Sequence, residues 1–276
     1  MIRPSILAVF RLNNQLKFSG LRQALMSKCD EHRKQKPLSE GTNSVEHLVQ
    51  LAKKAADRGD WPTVVESMKA CLAATPGDAA AFEWRVLLGR ALMGSRCYAE
   101  ASAVYRSVIQ DRPGAAVGYS GVARAAQRRK DWIAAADAWR DCIDRFPNHR
   151  EHFQWRDALA TCFFEQGRHD EAESIFGRLA AECPDRFEPF AGLARIAEAR
   201  HDWQAAVERW RHCCSLNGAK ESALRSWKTR LAAAYMHREA WRDAYEQWTR
   251  IAEDSGLDRA GTVARALSSR MAGPDG

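Results

Sequence analysis

A bulky side chain recurs six times along this chain, each time followed seven residues later by a second marker: Trp61/Met68, Tyr98/Tyr105, Trp132/Trp139, His169/Phe176, Trp203/Trp210 and Trp241/Trp248. The first members lie 37, 34, 37, 34 and 38 residues apart, and fifteen residues after each comes a helix breaker: Pro76, Pro113, Pro147, Pro184, Gly218 or Gly256. Self-similarity at this period marks stacked supersecondary units, each too small to bury its own apolar face. The chain is therefore expected to fold as an array of helical hairpins. Arrays of this kind hold other molecules more often than they transform them.

Each repeat reads as a helix A, a short turn, a helix B and a breaker. In the first, Leu48, Leu51, Ala52 and Ala55 keep the i, i+3, i+4, i+7 spacing of one helical face. Gly59-Asp60 ends that helix, and a second starts near Trp61 with Val64, Met68 and Cys71 on one side. Later A-helix faces are Leu88/Gly89/Leu92, Tyr119/Val122/Ala123/Ala126, Leu159/Ala160/Phe163, Phe190/Leu193/Ala194/Ala197 and Leu231/Ala232/Tyr235. Small residues recur beside the leucine (Ala52, Gly89, Ala123, Ala160, Ala194, Ala232) and three after the first marker (Val64, Ala101, Ala135, Ala172, Ala206, Ala244). They let the two helices approach to the short end of the usual spacing. The ring seven residues after the marker then fills the gap to the next repeat. A longer period is superimposed: Gly121 to Trp132 and Gly192 to Trp203 nearly coincide at a shift of 71 residues. Cys71, Cys142 and Cys213 share that shift, and Trp84, Trp155 and Trp227 recur in alternate repeats with Arg85, Arg156 or Lys228 beside them. The array reads as three copies of a two-repeat block.

These columns resemble the tetratricopeptide repeat, whose unit is about 34 residues. Its signature puts a bulky residue, a leucine, a small residue and an aromatic on helix A, then an aromatic, an alanine, an aromatic and a small residue on helix B before a proline. The resemblance runs over roughly residues 45–256. It implies an all-α fold: a right-handed superhelical solenoid of about six helix-turn-helix repeats, with helix A lining the concave face, closed by a terminal capping helix. His169 in an aromatic column, glycine as the last two breakers and the longer alternate repeats depart from the pattern and bear on loop geometry. The RNA-reading pentatricopeptide repeat fits less well, because it would need a strongly basic groove.

The net charge of +7 is unevenly placed. Residues 1–44 hold eight Lys/Arg and three acids, a net +5, which leaves +2 for everything after them. A polyanionic partner is thus less expected than the charge suggests. Residues 1–44 read as a basic extension in which Phe18, Leu21, Leu25 and Cys29 form one helical stripe, residues 45–256 as the array, and 257–276 as a capping helix and frayed tail. The extension suits an N-terminal cap, a docking helix for a partner, or a contact with an anionic membrane surface through residues 1–36. No run reaches the ~18 apolar residues of a membrane helix. Cysteines in one column of different repeats should lie roughly 20 Å or more apart, far beyond disulfide reach. They read as small buried thiols, which favours a reducing compartment and a cytoplasmic location.

No constellation of catalytic residues emerges. His149 and His152 open a helix without a third ligand and read as a solvated helix start. In His212-Cys213-Cys214, neighbours on a helix point about 100° apart and cannot chelate together. Glu171 and Glu173 read as ordinary surface charges. The chain is expected to be no enzyme and to hold no metal or cofactor. More informative is the residue eight before each first marker: Lys53, Arg90, Arg124, Thr161, Arg195 and Ala233. The resemblance implies that this column faces the groove, and four of the six are basic, with Arg128 nearby. A positive strip there would orient an acidic or C-terminal segment through charge-assisted hydrogen bonds. The competing account has these arginines bridging to Glu83, Asp57, Glu198 or Asp157. The chaperone-binding carboxylate clamp of some family members needs paired Asn and Lys, and the Asn residues are missing, so that role is not carried over. The expectation is a protein–protein interaction scaffold using Lys53, Arg90, Arg124, Arg128 and Arg195. The alternatives are an accessory module of a bacterial glycosyl- or sulfo-transferase system and an adaptor tethered to membrane or nucleic acid by its basic arm. The end faces also leave room for a homo-oligomer.

Overall fold

The computed structural model describes residues 45–216, 220–255 and 258–271. The stripe at Phe18 to Cys29, the breakers Gly218 and Gly256 and the tail after residue 271 lie outside them. Thirteen helices and no strands occur among the described residues. They pair as A and B helices: α1 (Val45–Asp57) and α2 (Trp61–Ala74), α3 (Ala81–Gly94) and α4 (Tyr98–Asp111), α5 (Ala116–Arg128) and α6 (Trp132–Arg145). There follow α7 (His152–Glu165) and α8 (His169–Glu182), α9 (Phe187–Ala199) and α10 (Trp203–Ser215), α11 (Glu221–His237) and α12 (Trp241–Ser255), and finally α13 (Asp258–Met271). Every B helix starts at the first marker of its repeat. The described residues form two compact bodies that divide between Ala125 and Ala126, inside α5. Within each, consecutive helices pack on one another, which makes the chain an all-α repeat array.

All six A–B turns are closed in the same way. The amides of Asp60, Cys97, Asp131, Arg168, Asp202 and Ala240 donate to the carbonyls of Ala55, Leu92, Ala126, Phe163, Ala197 and Tyr235 at 2.9–3.1 Å. This six-to-one bond needs a left-handed residue just before the donor. Glycine supplies it at Gly59 and Gly167, whereas Arg96, Lys130, His201 and Glu239 adopt φ of 63°, 62°, 61° and 59° despite their Cβ atoms. The cost of a left-handed L residue, roughly 1–2 kcal/mol, is outweighed by the carbonyls that the turn satisfies.

The small columns are as buried as the packing argument requires. Ala52, Ala123, Ala160, Ala194 and Ala232 are completely buried, as are Val64, Ala101, Ala135, Ala172, Ala206 and Ala244. Among the rings, Met68, Tyr105, Trp139, Phe176 and Trp210 are buried. Trp248 is not: it is half-buried, and its indole N–H points to the sulfur of Met236 at 3.4 Å. A whole hairpin follows each earlier ring in the sequence, but after Trp248 the described chain offers the single helix α13, which buries Ala260, Ala264 and Leu267. That helix fits the expected cap.

Candidate partner-binding face

The residue eight before each marker follows the buried small residue by one position, so it points about 100° away from the packed face. Lys53 on α1, Arg90 on α3 and Arg124 on α5 are exposed accordingly, as is Arg128 in the last turn of α5. In the body that ends at Ala125, Tyr105 of α4 packs between α3 and α5. Its ring lies against Gly89 of α3, where a Cβ would come within 2.7 Å of it, and against Gly121 of α5, where a Cβ would collide with it. Burial pushes the Tyr105 phenol up, and the charges of Arg124, then Arg90, pull it back. Arg90 makes no ion pair among the described residues.

In the body that begins at Ala126 the one cation of this column is answered by an acid. Arg195 of α9 binds Glu165 of α7 at 2.6 Å and lies over the Phe164 ring at 4.2 Å. Glu165 is none of the four partners that sequence reasoning names for these arginines. Glu83 instead pairs with Arg112 at 3.4 Å, and Glu198 takes Arg230 at 2.6 Å and the Trp210 indole N–H at 2.7 Å. Trp139, in the same column as Trp210, finds no hydrogen-bond partner for its indole N–H among the described residues. Thr161 and Ala233 occupy this column as half-buried neutral side chains. One turn before Thr161, Asp157 is half-buried on α7. Burial, then Glu188, raises its carboxyl to about 6 against the opposing Arg186 and Arg195.

The residues set aside in the sequence pack more than expected. His149 is no solvated helix start: it is half-buried, stacked on Trp155 with ring centroids 4.6 Å apart, and its Nδ1 accepts the Glu151 amide at 3.1 Å. His152 is half-buried too, and burial followed by the charge of Arg156 lowers its pKa. Glu171 and Glu173 are surface charges, and both are paired. Glu171 holds Arg168, and Glu173 joins Arg200 and Arg209 into one network. Cys213 is buried and Cys214 half-buried, none of the seven described cysteines is in a disulfide, and burial pushes the Cys162 and Cys213 thiols up to about 12. Among the described residues no three His, Cys, Asp or Glu side chains converge as metal ligands, and no helix is long and apolar enough to cross a membrane. A cavity of about 280 Å³ between α11 and α12 is lined by charges already paired, Arg225 with Glu221 and Lys228 with Asp254.

Residues 157–186 match the family model described as tetratricopeptide repeat. No curated protein sequence matches the chain. Among solved structures, the chain resembles PilW, a "widely conserved type IV pilus biogenesis factor", with a TM-score of 0.61 at 17% identity over 81% of this chain and 99% of that one. It also resembles the Cut9–Hcn1 hetero-tetramer of the APC/C, with a TM-score of 0.56 at 13% identity over 82% of this chain and 42% of that one. A third is MamA from Desulfovibrio magneticus RS-1, with a TM-score of 0.54 at 12% identity over 62% and 93% of the two chains. At these identities the likeness is one of fold. The tetratricopeptide-repeat model thus matches one stretch, residues 157–186, and the solved structures share with the chain the fold of an all-α repeat array.

Proposed function

We propose that the protein is a non-catalytic interaction scaffold whose exposed helix-A cations Lys53, Arg90 and Arg124 receive an acidic segment of a protein partner. The observation that carries the reading is that Lys53, Arg90 and Arg124 stand exposed, each one position after a buried small residue of its helix A, and that the charges of Arg124 and Arg90 both act on the buried Tyr105 phenol. A well-formed Arg–carboxylate pair there would contribute about 1.5–3 kcal/mol, an exposed one under about 1 kcal/mol. Arg128 is a further exposed cation on α5. Arg195 contributes only on leaving Glu165. In this reading residues 1–44 are a basic extension, residues 45–256 the array and residues 257–276 its closing segment. A cytoplasmic site of action suits buried thiols that form no disulfide.

The test is affinity capture from a native lysate with full-length protein and with its Arg90→Glu/Arg124→Glu form, read by mass spectrometry and by anisotropy of a labelled Glu-rich decapeptide. The reversed form should unfold at the same temperature as the parent, lose the captured partners and lose the decapeptide. Undiminished decapeptide binding by the reversed form would sink the reading.

A further inference from the structure

The A–B turn of the third repeat departs from the other five in two ways at once. Just before its marker stand Arg128, Arg129 and Lys130. The same three places elsewhere hold Asp57-Arg58-Gly59, Gly94-Ser95-Arg96, Glu165-Gln166-Gly167, Ala199-Arg200-His201 and His237-Arg238-Glu239, with one Lys/Arg or none. Just after the marker stands Ile133, where the others have Pro62, Ala99, Asp170, Gln204 and Arg242. All three cations are exposed, and Ile133 is 69% exposed, against 37% for Val117 and 42% for Met271. The fold asks for neither feature. The left-handed place that Lys130 takes with φ of 62° is glycine in two other turns, and the helix start that carries Ile133 is elsewhere filled by proline, alanine or a polar residue. Nor does the surrounding chain use the two arginines, which make no ion pair among the described residues. In the next two turns of the same body the arginines are answered: Arg168 pairs with Glu171, and Arg200 with Asp170 and Glu173 at 2.5 Å each. The one acid of the third turn, Asp131, is engaged as the cap of α6, where it accepts the Ala134 amide at 3.3 Å. Residues 128–133 thus present three cations, the half-buried Trp132 and an isoleucine in water.

We infer that this turn is a contact for a lipid surface with anionic head groups. Such a surface carries negative charge outside and hydrocarbon beneath, so it takes cations and an adjoining apolar side chain together. Arg128, Arg129 and Lys130 then lie among the head groups, Trp132 at the interface beside them, and Ile133 reaches towards the acyl chains. An acidic protein segment answers the cations alone; a lipid surface answers both features, and the isoleucine is what selects it. With three cations and one aliphatic side chain the contact is weak, reversible and sensitive to salt. It stands apart from the acid-accepting strip, since it does not use Lys53, Arg90 or Arg124.

The test is co-sedimentation of the full chain with vesicles of phosphatidylcholine alone or mixed with phosphatidylserine. The parent should bind the mixed vesicles and not the neutral ones, and added salt should weaken the binding. Residues 1–44 carry a net +5 and add to that binding, so the turn is read from variants of the full chain. Ile133→Ser should weaken binding to the mixed vesicles about 10-fold. Arg129→Glu/Lys130→Asn should weaken it at least as much. Both should unfold at the parent's temperature and still bind the Glu-rich decapeptide. The Arg90→Glu/Arg124→Glu chain loses more positive charge than either, yet should bind the vesicles more tightly than Arg129→Glu/Lys130→Asn. The inference is overturned if the parent ignores the mixed vesicles, if either turn variant binds them undiminished, or if reversing Arg90 and Arg124 weakens vesicle binding more. Loss of the decapeptide by the turn variants, with vesicle binding kept, would overturn it in favour of a protein-binding turn.

Discussion

In repeats one, three and five the second helix is capped by an aspartate: Asp60, Asp131 and Asp202 accept the amides of Thr63, Ala134 and Ala205 at 3.4, 3.3 and 3.0 Å. Repeats two, four and six put Cys97, Arg168 and Ala240 there, and neither Cys97 nor Arg168 makes a capping bond. The open end of the hairpin differs as well. In odd repeats a buried thiol of helix B reaches the backbone at the start of helix A, Cys71 to the Val45 carbonyl and Cys213 to that of Phe187, both at 3.9 Å. In even repeats a cation at the start of helix A reaches an acid at the end of helix B: Arg85 to Asp111, Arg156 to Glu182 at 2.6 Å and Lys228 to Asp254 at 2.7 Å. Both ties span 26 residues. One geometric need is thus met by two chemistries, and the alternation follows the block of 71 residues rather than the single repeat. Where the helices touch backbone to backbone the six repeats agree, because only a small side chain fits. Where they merely have to be tied, they diverge.

The strongest challenge to this comparison is in the rings. Trp210→Ala and Phe176→Ala should each lower stability by about 3–5 kcal/mol in urea unfolding, since both rings are buried and would leave cavities. Trp248→Ala should cost clearly less, because that ring is only half-buried. Equal losses at Trp210 and Trp248 would mean that the last repeat is packed like the others. A smaller effect sharpens the pairing of ring and glycine. Gly192 and Gly121 stand in odd repeats opposite the even rings Phe176 and Tyr105, and a Cβ at Gly192 would come within 2.5 Å of Phe176. Gly192→Ala should therefore destabilise by about 1–3 kcal/mol through overpacking. Yet the fourth repeat carries Ala158 and the sixth Arg230 in that column. A neutral or stabilising Gly192→Ala would show that the ring yields. Smallest is the cap: Asp202→Ala should cost about 1 kcal/mol, and Cys97→Asp, which grafts the odd cap onto an even repeat, should add about 0.5–1 kcal/mol. Thermal unfolding of both variants reads the two signs; a Cys97→Asp chain that gains nothing would mean the even turns cannot use the cap.

Much of this was legible beforehand, because a repeat samples each structural column six times. The B-helix starts at Trp61, Tyr98, Trp132, His169, Trp203 and Trp241 and the buried alanines could be read from recurrence alone. Single-copy features could not. Arg96, Lys130, His201 and Glu239 carry no turn signal of their own, yet they share a turn column with Gly59 and Gly167, and comparing columns would have found them. Arg195 was expected to face a ligand and is held by Glu165, thirty residues earlier. Its partner sits one turn beyond Thr161, the same column in the preceding repeat, a position that adjacency in sequence does not suggest.

The amino-acid order by itself determined the helices, their pairing into hairpins and the face of each that must be hidden. These depend on periodicity and side-chain size, and both are written along one dimension. Which cations are already held by an acid was decided only when helices some thirty residues apart came together. Arg195 is tied to Glu165, Arg112 to Glu83 and Arg230 to Glu198, because electrostatic interaction depends on distances across packed helices and on water excluded between them.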